Sequence, residues 1–172
     1  MISEKMQKAI NDQINAELYS AYLYLSMQAY FTAENLPGFA QWMSVQVQEE
    51  VVHAMKFFGY VHSRRGRVAL QPITGPATKW DSPLAAFEAA LAHEEHVTSR
   101  INHLVKLARE DNDNATEIML QWFVTEQVEE EASADEVIQK IKRMADAPGG
   151  LFLLDQELGA RTFTPPATGG AA

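Results

Sequence analysis

Read in sevens, the chain sorts its apolar side chains into columns along four long stretches, and columns in every stretch are interrupted near their middle by a polar residue. In the first stretch Ile10, Glu17, Tyr24 and Phe31 share a column. The second carries Met43, Glu50 and Phe57 beside Phe39, Gln46, His53 and Tyr60. The third has Phe87, Glu94, Ile101 and Ala108 beside Ala90, Val97 and Leu104, and the fourth has Phe123, Glu130, Val137 and Met144 beside Leu120, Gln127, Ala134 and Ile141. Such columns mark the inward stripe of helices packed side by side. They predict helices from about Ser3 to Thr32, Pro37 to Arg64, Ser82-Pro83 to the turn at Asp111, and Ala115 to Met144.

The breaks between these stretches set the topology. Pro37 suits the first turn of a helix, where its missing N–H costs nothing. Ser82-Pro83 reads as N-cap and first helical position. Gly66 and the cations around it suit a helix C-terminus, and the turn Asp111-Asn112-Asp113-Asn114 can end one helix and cap the next. Residues 65–82 lack helical periodicity and contain Pro72, Gly75 and Pro76. Extended, they reach about 60 Å, longer than a 28-residue helix of about 42 Å, so they can return along the whole bundle and set the third helix parallel to the second. Leu151 to Leu158 predicts a fifth helix too short to stand alone, docked in an assembly. The expected fold is all-α: a four-helix bundle with one long crossover connection plus a short C-terminal fifth helix. It forms a single domain over 1–172, with the bundle at about 3–145, the fifth helix at about 148–160 and a disordered tail at about 164–172.

The interrupting residues carry the chemistry. Glu17, Glu50 with His53, Glu94, and Gln127 with Glu130 all lie near mid-helix, so four aligned helices bring them to one level. No Lys or Arg stands on these columns. An unpaired buried charge costs several kcal/mol, so protons or cations must compensate the acids. Glu50 and His53, three residues apart, leave the same helix face and can close on one metal ion. The absence of cysteine excludes thiolate zinc and rubredoxin-type iron sites. Carboxylates plus one imidazole suit iron, manganese or zinc. His93-Glu94-Glu95-His96 is not a zinc-protease motif, and His96 falls on a column away from Glu94.

Composition narrows the partners. With a net charge of −9, neither nucleic acid nor anionic membrane is an expected partner, because both require clustered cations. Met1 to Ile10 mixes charges into its apolar residues and is not a secretory signal, and Leu18 to Met27 is too short to span a membrane; a cytoplasmic location is expected. Leu18 to Leu25 is apolar around most of its circumference, which implies a second buried face in an oligomer.

From Ser3 to about Pro166 the chain resembles a prokaryotic non-haem ferritin. The resemblance is carried by Asn15-Ala16-Glu17-Leu18-Tyr19-Ser20-Ala21-Tyr22-Leu23-Tyr24, by Gln48-Glu49-Glu50-Val51-Val52-His53-Ala54-Met55-Lys56, and by Glu126-Gln127-Val128-Glu129-Glu130-Glu131; ferritin-like bundles are the general example of the one-crossover topology. It implies an iron store with ferroxidase activity, oxidising Fe(II) with O2 or H2O2 at a di-iron centre. Glu17, Glu50 and His53 would bind one iron, and Glu50, Glu94 and Glu130 the second. Gln127 would orient water or oxygen species, and Tyr24 would serve as hydrogen-bond or electron donor. Glu49, Glu126, Glu129 and Glu130 would hold a third iron. The shell would be a homo-oligomer of twenty-four subunits. Haem is not expected, since Val51 follows Glu50 where haem-bearing relatives carry methionine. The second Glu-x-x-His of those relatives is also missing, as Val97 follows Glu94 and Ser133 follows Glu130 at that spacing, which implies a weaker second iron site. Two other readings stay open: a passive cage whose acids only nucleate mineral, and a scaffold bundle whose acids bind nothing.

Overall fold

In the computed structural model, which describes residues 1–144 and 147–165, the four stretches become four long helices: α1 (Glu4–Ala33), α2 (Pro37–Ser63), α3 (Pro83–Glu110) and α4 (Asn114–Met144). A fifth, α5 (Gly150–Leu158), follows. Among the described residues no helix is long and apolar enough to cross a membrane. The tail expected to be disordered lies, from residue 166 on, outside the described residues, as do 145 and 146.

Local chemistry explains where the helices begin and end. Ser3 and Ser82 accept from Met6 N–H (3.1 Å) and Ala85 N–H (3.0 Å), capping α1 and α3. Asp113 does the same for α4 through Thr116 N–H at 3.2 Å. α1, α2 and α3 all terminate in one way: Asn35, Arg65 and Asn112 adopt left-handed φ of 57°, 59° and 52°. The next residues' N–H groups, of Leu36, Gly66 and Asp113, reach back to Phe31, Val61 and Ala108 carbonyls, the Schellman closure. Gly66 thus helps end α2 as expected, but the left-handed turn is made by Arg65. A Cβ at 66 would crowd Gln7 Oε1 at 2.8 Å and Val61 Cγ1 at 2.9 Å, so a larger residue there would have to displace those side chains.

Side-chain pairings give the helix directions. Ser3 meets Asp111 and Ser20 meets His93, so α1 and α3 are antiparallel; Gln46 meets Glu130 and Arg64 meets Asp113, so α2 and α4 are antiparallel. α2 and α3 therefore run parallel, the arrangement that the long connection makes possible. That connection lies along α1, whose Gln7, Asn11, Asn15 and Ser26 side chains bond the backbone of Arg67, Ala69, Gln71, Pro72 and Ala77. Polar groups spaced every four residues at 7, 11 and 15 form a stripe that pairs backbone amides left without a ladder.

One face of α5 docks on its own chain. Leu154 and Leu158 are buried in the bundle core, and Asp155 Oδ1 accepts from Gly38 N–H (2.8 Å) and Phe39 N–H (3.1 Å). α2 begins at Leu36, which offers no side-chain cap, so α5 supplies the missing acceptor. Its other face, Leu151, Phe152 and Leu153, is exposed, as are Tyr22 and Leu25 on α1.

The apolar core is in two parts. One surrounds Phe31, Phe39, Met43, Phe87 and Leu154; the other surrounds Ile10, Phe57, Ile101, Leu120 and Phe123. The buried polar residues Glu17, Gln46, Glu50, His53, Glu94, Gln127 and Glu130 form the layer between them.

Candidate metal centre

Four helices each contribute to the polar layer, and every one of its acids is almost wholly removed from solvent: Glu17, Glu50 and Glu94 are 1% exposed and Glu130 is 5% exposed. Glu17, Glu50 and His53 each offer a ligand atom within 4.8 Å of the others. His53 Nδ1 stands 3.4 Å from Glu50 Oε2. The other ring nitrogen, Nε2, faces a second group, His53, Glu126 and Glu130, also within 4.8 Å of one another, with Glu126 Oε1 at 3.8 Å.

Glu94 lies apart from both groups. It accepts from the Tyr24 hydroxyl and from Gln127 Nε2 at 3.1 Å. Gln127 also reaches the Glu94 carbonyl and the Thr98 hydroxyl, both at 3.3 Å, so its amide is engaged with Glu94. Glu49 is paired with Arg161 at 2.8 Å, and Glu129 is exposed on α4. The structure therefore gathers Glu17, Glu50, His53, Glu126 and Glu130, sets Tyr24, Glu94 and Gln127 beside them as a bonded trio, and leaves Glu49 and Glu129 outside the two groups.

Residues not singled out from the sequence complete the layer. Gln13 Nε2 donates to Glu17 Oε1 at 2.8 Å, while its own oxygen accepts from Arg100 Nε at 2.9 Å. Gln46 Nε2 donates to Glu130 Oε2 at 2.7 Å. Gln46 was visible as a polar member of a core column; Gln13 sits one turn before Glu17, a spacing that marks a same-face neighbour. Arg100, which bonds Gln13, and Arg161, which pairs with Glu49, come from outside the core columns, where a reading of the columns alone does not find them.

The layer is short of compensating charge. Glu17 Oε2 and Glu50 Oε2 are buried with no hydrogen-bond partner among the described residues. Burial raises the Glu17 and Glu94 carboxyls above the ordinary range and the Glu50 carboxyl well above it. Glu130 is pushed up to about 7 by burial and by the charge of Glu94. For His53, burial alone would lower the imidazole, but the carboxylates of Glu126, Glu50 and Glu17 raise it well above its usual value. Burial thus favours the protonated form of these carboxyls, and the surrounding carboxylates favour the charged form of the imidazole. A divalent cation would take the place of both sets of protons, and unpartnered carboxylate oxygens around one imidazole form an oxygen-rich, nitrogen-containing donor set that fits a hard to borderline ion.

Known proteins resemble this chain in sequence and in fold. Residues 7–144 match the family described as the ferritin-like domain. The chain is 47% identical over 161 residues to a bacterial non-heme ferritin of Bacteroides fragilis, covering 94% of this chain and 100% of the relative. To a bacterial non-heme ferritin of Staphylococcus aureus it is 37% identical over 163 residues, 95% of this chain and 98% of the relative. Among solved structures, an open pore ferritin of Archaeoglobus fulgidus is 53% identical with a TM-score of 0.93, covering 94% of this chain and 100% of that one. A closed form engineered from the A. fulgidus ferritin is 54% identical with a TM-score of 0.94, covering 95% and 100%. With the bundle, the polar layer and near full-length similarity in agreement, the chain belongs to the ferritin family, among its prokaryotic non-haem members.

Proposed function

We propose that this chain is an iron-storage ferritin with ferroxidase activity. The observation that carries the reading is the pair of buried carboxylate oxygens without hydrogen-bond partners, Glu17 Oε2 and Glu50 Oε2, beside an imidazole in a buried layer that contains no Lys or Arg. Iron is the substrate. Glu17, Glu50 and His53 would receive one Fe(II); Glu50, Glu94 and Glu130 would receive the second, Glu94 swinging from its bonds with Tyr24 and Gln127. Glu126, Glu130, Glu49 and Glu129 would take a third. Each of two Fe(II) ions loses one electron; O2 plus two protons becomes H2O2, or H2O2 plus two protons becomes two waters.

The protein's own groups would order this chemistry. Gln13 and Gln46 hold Glu17 and Glu130 by their amides, leaving the remaining oxygens to the metal. Tyr24, kept protonated by burial and by neighbouring carboxylates, donates to Glu94 and stands where an electron or proton can be supplied. Ferric product would pass into a shell of twenty-four subunits, and the exposed apolar residues Tyr22, Leu25 and Leu151 to Leu153 would be covered there.

Anaerobic Fe(II) titration of the metal-free protein, followed by rapid mixing with O2 and absorbance recording, tests this. The expected result is a fast phase saturating near two irons per chain and lost in Glu50→Ala, whose helical circular dichroism is unchanged. Binding without a fast phase would reduce the reading to passive storage, and no binding would leave a scaffold.

A further inference from the structure

The segment after α5 ends its contact with the bundle on one acid. Asp155 fastens α5 to the start of α2, and six residues later Arg161 lies over the Trp42 ring, its Cζ 4.4 Å from the ring centroid. Gln41 Nε2 donates to the Arg161 carbonyl at 3.1 Å. The guanidinium Nη2 donates to Glu49 Oε2 at 2.8 Å. These contacts run along α2 from Gly38 to Glu49, so residues 155–161 form a strap whose only charge contact at its far end, among the described residues, is this pair.

Three facts make the pair more than packing. Glu49 feels the charges of Glu130, His53 and Glu126, yet its oxygens stay outside the group those residues form. The guanidinium is incompletely satisfied, since Arg161 Nη1 is buried without a partner. The side chains of Arg161 and Glu49 are 24% and 21% exposed, shielded enough for the pairing to matter and open enough for an arriving ion.

The geometry points to Arg161 as a tethered counter-cation of the outer metal position: it holds Glu49 away from His53, Glu126 and Glu130, and a divalent ion binding there displaces it. One carboxylate can serve the guanidinium or the metal, and pairing with Arg is the strong, directional competitor. Metal occupancy at Glu126 and Glu130 is thereby linked to release of the strap, and Arg161 sets how weakly this position binds. The inference rests on the metal-binding reading above.

Zn2+, which undergoes no redox change, is the probe. Calorimetric titration of the metal-free full chain should resolve an inner class, the positions around Glu50, from a weaker outer class. Arg161→Gln should tighten the outer class about tenfold, the scale of one charge-assisted hydrogen bond, and leave the inner class unchanged. Arg161→Lys should tighten it less, and it serves in place of Arg161→Gln if that variant misfolds. Glu49→Gln combined with Arg161→Gln should abolish the gain. In the wild type, Zn2+ should speed amide exchange at residues 159–163. An outer class unchanged or weakened in Arg161→Gln, or exchange slowed by Zn2+, overturns the role of Arg161 while leaving the metal reading intact. A wild-type chain that takes up no Zn2+ overturns that reading itself.

Discussion

Glu50 is held in a state that the proposed function needs and folding does not. Its Oε2 is buried with no hydrogen-bond partner and meets His53 Nδ1 only at 3.4 Å, and an unsatisfied buried group costs about 1–3 kcal/mol even when neutral. Glu50→Gln should therefore raise the melting temperature of the metal-free protein, by about 3–6 °C for a chain of this size, while removing rapid Fe(II) oxidation; calorimetry on metal-free samples reads the first effect. Protonation follows the same logic. Glu49 and Glu130 are pushed up to about 7, in each case chiefly by burial, from an ordinary value of 4.5 in the unfolded chain. Between those values the folded state binds more protons, so the stability these two groups contribute is full below about pH 4.5 and is lost as pH rises through about 7. A bound metal displaces the protons. Zn2+ uptake should thus release more protons per ion at pH 6 than at pH 8, as pH-stat titration would show; equal release would contradict the assignment of these carboxyls to the site.

At the scale of elements, α5 is a cap as well as a helix. Its nine residues are too few to be stable in isolation, and its place depends on Asp155 meeting two N–H groups at the start of α2. Asp155→Ala should cost about 1 kcal/mol, the usual loss for a helix N-cap. Gly38 is required for another reason: a Cβ there would lie 1.6 Å from the Asp155 carbonyl oxygen. Gly38→Ala should therefore lift α5 off α2. Limited proteolysis beyond α4 should accelerate in both variants, and the double variant should be less destabilised than the sum of the two, because both disturb one contact. Accelerated cleavage in neither would mean that α5 is held by Leu154 and Leu158 alone.

For the whole molecule, the polar layer divides the core, and the proposed function makes its stability depend on metal. A ligand present at 100 times its dissociation constant adds about 2.7 kcal/mol to the folded state. Anaerobic Fe(II) or Zn2+ should raise the melting temperature by several degrees, an effect of about that size; a scaffold bundle would show none. Assembly is the second property at this scale. Tyr22, Leu25, Val51 and Met55 on the α1–α2 surface and Leu151 to Leu153 on α5 are exposed large hydrophobics of the single chain, and light scattering should report a closed multiple of the 19.2 kDa subunit. A monomer at micromolar concentration would remove the shell from the proposed function.

Periodicity by itself determined most of the bundle. Core columns depend on helix geometry alone, which is why Ile10, Glu17, Tyr24 and Phe31, or Phe87, Glu94, Ile101 and Ala108, could be placed inside before any contact was known, and why four mid-helix acids could be set at one depth. Helix ends were legible where a local residue made them, as at Ser3 and Ser82. Other features needed tertiary structure because their partners are far apart in sequence. Leu36 cannot cap α2, and the acceptor that does so is 117 residues beyond Gly38. The division of the acids into a Glu17–Glu50–His53 group, a His53–Glu126–Glu130 group and a Tyr24–Glu94–Gln127 trio depends on ångström-scale side-chain directions across helices. The pairing of Glu49 with Arg161 depends on where a strap lies, and heptad spacing contains no information about that.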